Sequence, residues 1–180
     1  MIFDFSRRNK DFKYGILRYF NPAGAHDSGL IGEHYTDKST NLFPIISKIN
    51  KTSKGKLKIY GSDYKTHDGT PIRDFIHILD LVEGHIMSLQ YIMEKKQNLI
   101  INLGTGKGHS VLDIIKTYSR CLKKDINFDF CNRRLGDVSI SIADPGLSHR
   151  LLKWKAKRGI EDICNSNIKW NRLYPDGYNF

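Results

Sequence analysis

Asn21, Asn41, Tyr60, Arg73, Arg134 and Asp137 fall in loops or at the ends of apparent strands. Together these residue types suit an anionic ligand that also carries hydroxyls. The planar fork of an arginine pairs with diphosphate oxygens, an asparagine offers both donor and acceptor, and an aspartate can accept from two hydroxyls. Taken singly, each is more often a solvated surface residue or a helix cap, so residue type alone does not establish a site. Other chemistry finds less support. No serine sits in GxSxG, and the seven histidines contain no HxxxH pair. The run Gly104-Thr105-Gly106-Lys107-Gly108-His109 lies between a strand and a helix, as a dinucleotide-binding turn does. His109, however, replaces the third glycine, which permits close helix–strand packing, so a tight turn with Ser110 as helix cap is the better reading. Tyr91 and Lys95 have Tyr-x-x-x-Lys spacing but stand at the end of a helix with no glycine motif before it. They read as a surface pair, the lysine suiting the helix dipole.

The elements that must position these residues follow from periodicity. Ile16 to Phe20 reads as a buried strand stopped by Asn21-Pro22, and a long polar loop follows from Ala23 to Thr40. Asn41 starts a helix with Leu42, Ile45, Ile46 and Ile49 on one face, ended by Lys54-Gly55. Leu57 to Tyr60 alternates as a half-buried strand, and Gly61 to Gly69 forms a loop carrying Asp63, His67 and Asp68. Asp80 and Glu83 resemble a capping box opening a helix on which Val82, Ile86, Leu89 and Met93 recur at helical spacing. Strands at Leu99–Leu103 and 126–130 flank a helix with Val111, Ile114, Ile115 and Tyr118 inward, and a last helix runs from Ile160 to about Trp170. Strands alternate with helices, which gives an α/β fold class.

Composition narrows the setting. With 180 residues, 39% hydrophobic content, nine Phe, nine Tyr and five Pro, the chain can build a core and is no low-complexity tail. No apolar run reaches the roughly 20 residues of a membrane helix, and charges interrupt the first residues before any signal-like segment forms, so no membrane association is expected and the expected location is cytoplasmic. Three scattered cysteines, Cys121, Cys131 and Cys164, read as reduced thiols. The net charge of +10 is spread along the chain, so a dedicated nucleic-acid surface is not expected.

Two longer stretches are far more specific: Leu17-Arg-Tyr-Phe-Asn-Pro-Ala-Gly-Ala-His26 and Asp68-Gly-Thr-Pro-Ile-Arg-Asp-Phe-Ile-His-Ile-Leu-Asp-Leu-Val-Glu-Gly-His85. With Asn102–Asp113 and Arg133–Asp137, they make the chain resemble the C-terminal half of the UDP-glucose 4-epimerase family, NAD-dependent extended short-chain dehydrogenase/reductases. The resemblance implies that residues 1–22 form the last strand region of an NAD-binding Rossmann domain and that 23–180 form a UDP-sugar-binding α/β domain. It implies cofactor contacts at Tyr19 and Phe20, beside the nicotinamide of NAD. It implies substrate contacts at Asn21, at Asn41 and Leu42, and at Lys58, Ile59 and Tyr60 beside the uracil. Arg73 and Arg134 match the diphosphate arginines, and Asp137 matches the acid that accepts from the ribose. Ser141 stands where some members carry a tyrosine lining the sugar pocket, which suggests room for an N-acetylated hexose. The NAD fingerprint and the catalytic Tyr/Lys pair belong to the family's N-terminal half, so no catalytic residue and no metal ligand is expected here. The implied partners are a UDP-hexose, a separate N-terminal half and a second copy in a homodimer. Three functions stay open: an epimerase half inactive alone, a UDP-sugar binding module, and a non-functional remnant.

Overall fold

The computed structural model describes residues 1–180 except 37, 53, 54, 179 and 180. Lys54, in the expected stop of the first long helix, lies outside the described residues. The elements are α1 (Ile2–Arg8), β1 (Gly15–Tyr19), β2 (Asn21–Ala23), α2 (Leu42–Thr52), β3 (Leu57–Tyr60), β4 (Ile72–Arg73), β5 (Phe75–His77), α3 (Ile78–Lys95), β6 (Leu99–Leu103), β7 (His109–Ser110), α4 (Val111–Leu122), β8 (Phe128–Cys131), β9 (Ile140–Ser141), α5 (Gly146–Leu152) and α6 (Ile160–Leu173). The α/β class holds. Parallel pairs β1–β6, β2–β5 and β3–β8 accompany a small mixed sheet in the order β7-β4-β9.

Two apolar clusters organise these elements. The first joins α2, β3, α4 and α6 through Phe43, Ile46, Ile59, Ile114, Tyr118 and Ile163. The second lies where Leu81 of α3 meets Leu99, Ile101 and Leu103 of β6, with Trp154 beyond α5. Strand β5 serves both, because successive side chains point to opposite faces: Phe75 enters the first cluster and Ile76 the second. All three cysteines are free.

The first strand stops just before Asn21-Pro22 as expected, but a second strand rather than a loop begins there. The chain exchanges partners there, leaving β6 after Phe20 and pairing β2 in parallel with β5. The Asn21 amide donates to the Asp74 carbonyl at 3.0 Å, and the next donor a parallel pair requires is two residues on. The missing N–H of Pro22 therefore costs no ladder bond.

Helix α3 also begins earlier than the Asp80–Glu83 pattern predicts. His77 is its cap, with Nδ1 accepting from the Leu79 amide at 3.2 Å, and Asp80 is buried inside the first turn. The apolar stripe Val82, Ile86, Leu89 and Met93 is the outer one, each residue 46–61% exposed, while Leu81, Gly84 and Ser88 face inward. The small inner residues permit close approach: a Cβ on Gly84 would lie 3.1 Å from Leu103.

His77 couples this helix to α6. Its Nε2 lies 3.1 Å from Ser166 Oγ, which also accepts from the Ala25 amide and donates to the Ile163 carbonyl. Neutral imidazole with Nε2–H satisfies every partner. Protonation at Nδ1 would break the bond from Leu79. Burial, with the nearby charge of Arg158, pulls the His77 pKa below its ordinary 6.5. The unfolded chain then binds the proton first, so this contribution to stability is complete above about pH 6.5 and falls as pH drops toward the folded value. Urea titrations at about pH 7.5 and 5.5 should show a larger acid loss for the wild-type chain than for His77→Gln.

The loop from Gly61 to Gly69 closes on itself: Gly69 has φ +81°, and a Cβ there would fall 2.3 Å from the Ser62 carbonyl oxygen. Gly69→Ala should lower unfolding stability by about 1–3 kcal/mol, read from the urea midpoint.

Candidate functional site

A cavity of about 270 Å3 opens between the start of α2, β3, β4 and the segment after β8. Asn21 and Arg73 line one side, brought together because β2 pairs with the strand that follows Arg73. Asn41 and Leu42 line a second side at the head of α2, where the Asn41 carbonyl accepts from the Ile45 amide at 3.3 Å. Lys58 and Tyr60 line a third. Ile59 between them does not reach the cavity: strand alternation turns it into the core, where it is 1% exposed.

Arg134 and Asp137 complete the wall. The Arg134 guanidinium lies over the Tyr60 ring, 4.1 Å from its centroid, which orients a flat cation beside an aromatic face. Arg73 donates through Nη1 to its neighbour's Ile72 carbonyl at 2.9 Å and through Nη2 to Asp137 Oδ1 at 3.1 Å. The adjacent Arg133 points elsewhere, onto Asp63 at 2.7 Å and the Tyr64 ring. The cavity thus gathers three cations (Lys58, Arg73 and Arg134), two acids (Glu33 and Asp137), the side-chain amides of Asn21 and Asn41, and the Tyr60 ring beside Arg134, a set able to hold a diphosphate, vicinal hydroxyls and a flat heterocycle.

Three other residues singled out from the sequence lie outside its lining. Tyr19 is 53% exposed at the C-terminal end of β1, and Phe20 follows it half-buried. Ser141 sits in β9 opposite Arg73, its carbonyl accepting from the Asp74 amide at 3.0 Å. Glu33 and Phe75 line the cavity and were not anticipated, since neither the loop before Asn41 nor the short β5 carries a periodic signal.

The glycine-rich turn does not bind an external anion through its backbone, because it already holds one. Asp74, fully buried, accepts from the amides of Thr105 and Gly106 at 3.0 and 2.9 Å and from the Thr105 hydroxyl at 2.6 Å. A cap at Ser110 follows as expected, with Asp113 reciprocating. Tyr91 packs half-buried and donates to Gln97 Oε1 at 3.3 Å, with exposed Lys95 at the end of α3.

His67, Asp68 and Asp113 bring three potential metal ligands within 4.8 Å of one another. Burial opposes ionisation of Asp68, but bonds from Ser110 and Thr70 outweigh it and hold the carboxyl below its ordinary range. Ser110 does the same for Asp113. Both carboxylates are thereby committed to the N-terminus of α4, whose positive dipole end disfavours a cation. Asp113 with Ser110 caps α4, Asp68 takes the Ser110 hydroxyl, and His67 Nε2 lies 3.2 Å from Asp113 and 3.5 Å from Asp68. Among the described residues, no helix is long and apolar enough to cross a membrane.

Known proteins match nearly the whole of this chain within longer chains. The chain is 46% identical over 98% of its length to UDP-glucose 4-epimerase of Yersinia enterocolitica, covering 52% of that protein. It superposes with TM-score 0.92 and 38% identity on the enzyme of Stenotrophomonas maltophila, solved with NAD and a formylated UDP-arabinopyranose. It superposes with TM-score 0.90 and 37% identity on that of Bifidobacterium longum, solved with NAD+ and UDP. In both cases 97% of this chain matches 52% of the other. The chain spans about half the length of the relatives it matches. Residues 1–104 match the model of the NAD dependent epimerase/dehydratase family, and the chain belongs to that family.

Proposed function

We propose that this chain is the sugar-nucleotide-binding half of a UDP-glucose 4-epimerase, inactive alone and completed by an N-terminal NAD-binding half. The observation that carries the reading is the convergence of Arg73, Arg134, Asp137, Asn21 and Tyr60 on one cavity. Arg73 and Arg134 hold the diphosphate, Asp137 accepts from the ribose hydroxyls, and Tyr60 offers its ring to the uracil. Asn21 contacts the sugar end of the ligand, with Asn41 and Leu42 closing the opposite side. Ser141 leaves more room than a tyrosine at that position, so an N-acetylated UDP-hexose is a second substrate of the assembled enzyme.

The chain's own residues fit only one end of NAD. Tyr19 and Phe20 stand where β1 ends, the edge at which parallel sheets receive ligands, whereas the glycine turn is filled by Asp74 and holds no pyrophosphate. Bound NAD supplies reversible hydride acceptance at the sugar. The need for a second half is supported by unsatisfied surface. Strand β1 pairs with β6 alone among the described residues, and the outer stripe of α3 presents four exposed apolar side chains. Buried parallel strands require neighbours on both edges and cover on both faces.

Calorimetric titration with UDP-glucose tests the proposal, using the chain alone and then the chain with NAD and an N-terminal half from a relative. UDP-glucose binding by the chain, with epimerase turnover only in the reconstituted mixture, is the expected result. Binding without any turnover after reconstitution would favour a stand-alone binding module, and no binding in either form would sink the reading. Lack of UDP-N-acetylglucosamine binding by the reconstituted enzyme would remove the role given to Ser141.

A further inference from the structure

Asp74 lies outside the cavity wall, yet three residues assigned to the ligand are tied to it. The Asn21 amide donates to its carbonyl and its own amide donates to the Ser141 carbonyl, both at 3.0 Å, while Arg73 is its covalent neighbour. Its carboxylate pulls two further segments onto this point. Thr105 and Gly106 donate from the turn after β6, and the Ala143 amide donates at 3.3 Å from the chain just beyond β9. Space around it is closed, since a Cβ on Gly104 would lie 2.8 Å from Asp74 Oδ2 and 2.3 Å from Ala143.

The balance of forces says what such a group supplies. All its hydrogen-bond donors are neutral, and a carboxylate buried on neutral donors gains little over a well-packed apolar side chain of equal volume. What it does provide is direction, because its two oxygens demand donors from two segments at fixed angles. Those segments bracket β4, which bears Arg73.

We propose that Asp74 is a positioning residue for the sugar-nucleotide cavity: by clamping the Thr105–Gly106 turn and the β9 segment around β4, it holds Arg73, Asn21 and Ser141 in mutual register. The proposal rests on the cavity being the UDP site. An arginine displaced by an ångström loses much of its bidentate pairing with a diphosphate, so the clamp acts through Arg73 on affinity.

The test is UDP titration of the 180-residue chain, with folding followed in parallel. Asp74→Asn, which points an amide N–H₂ at backbone donors, should weaken UDP binding about tenfold or more under conditions where the variant is folded. Leu81→Ala, a buried change beneath α3, serves as a control for lost stability and should leave UDP affinity unchanged. In the Arg73→Ala background, Asp74→Asn should add no further loss, because it acts through Arg73. Asp74→Ala empties the carboxylate cradle, and added formate should restore UDP affinity. Should the Asp74 variants fail to fold, Thr105→Val removes one hydroxyl bond from the carboxylate and should weaken UDP binding in the same direction. Wild-type UDP affinity in folded Asp74→Asn, or in Thr105→Val if only that folds, would overturn the proposal while leaving the cavity's assignment intact. Failure of the wild-type chain itself to bind UDP would overturn both.

Discussion

Asp80→Ala should lower the free energy of unfolding by about 3–5 kcal/mol, a large share of the roughly 5–15 kcal/mol available to a domain. Asp80 is fully buried, and its carboxylate does three things at once. Oδ1 accepts from Arg158 Nη1 at 2.6 Å, while Oδ2 accepts from the amides of Lys157 and Arg158 at 2.9 and 2.8 Å. Its backbone carbonyl takes the Trp154 indole N–H at 3.1 Å, so the segment leading into α6 is pinned to the first turn of α3. Truncation leaves a guanidinium and two backbone donors without their acceptor. Arg158 keeps a contact with Glu83 at 3.3 Å, which retains part of the pairing. Asp80→Asn, which preserves shape and one acceptor, should cost less than Asp80→Ala. Urea unfolding with an unchanged slope checks the order. Equal midpoints for Asp80→Ala and wild type would show that the pair contributes nothing net.

Arg73→Ala should weaken UDP binding by about 10- to 100-fold, the equivalent of about 1.5–3 kcal/mol for hydrogen bonds to a charged group. Two effects add. The diphosphate loses a fork of donors, and Asp137, which now accepts from Arg73 at 3.1 Å, is left as an unpaired anion facing another. Arg73→Lys should restore only part of the affinity, since an ammonium cannot pair bidentately. Titration with uridine separates the roles: it has no diphosphate and the Tyr60–Arg134 face remains, so its affinity should change far less than that of UDP, the residual effect coming from Asp137, which meets the ribose and loses its Arg73 partner. A parallel drop for uridine and UDP would mean that Arg73 shapes the cavity rather than holding the diphosphate.

Much of this molecule follows from local pattern. Apolar runs place β1 and β6 and alternation places β3, although β1, read as a buried strand, has no buried residue: its side chains are half-buried or exposed. Helix α4 is legible down to its cap, since Ser110 and Asp113 satisfy the helix end with groups three residues apart. The polar set around the cavity is also visible as residue types. Where tertiary pairing decides, local pattern points elsewhere. Asp80 looks like a cap but is spent on Arg158, 78 residues away, leaving His77 to cap α3. Val82, Ile86, Leu89 and Met93 show a helical period, yet periodicity does not say which of two apolar stripes faces inward, and here the glycine-bearing face does.

Local residue pattern dictates the α/β alternation, the turn chemistry and which side chains could meet an anionic, hydroxylated ligand. Which of them meet depends on long-range packing. Strand alternation removed Ile59 from the cavity, the chain's exchange of β6 (paired with β1) for β5 (paired with β2) carried Asn21 beside Arg73, and Asp74 filled the glycine turn whose spacing resembles a phosphate site. The reason is physical: local propensity acts over a few residues, whereas a binding cavity is closed by hydrogen bonds and packing between segments far apart in the chain.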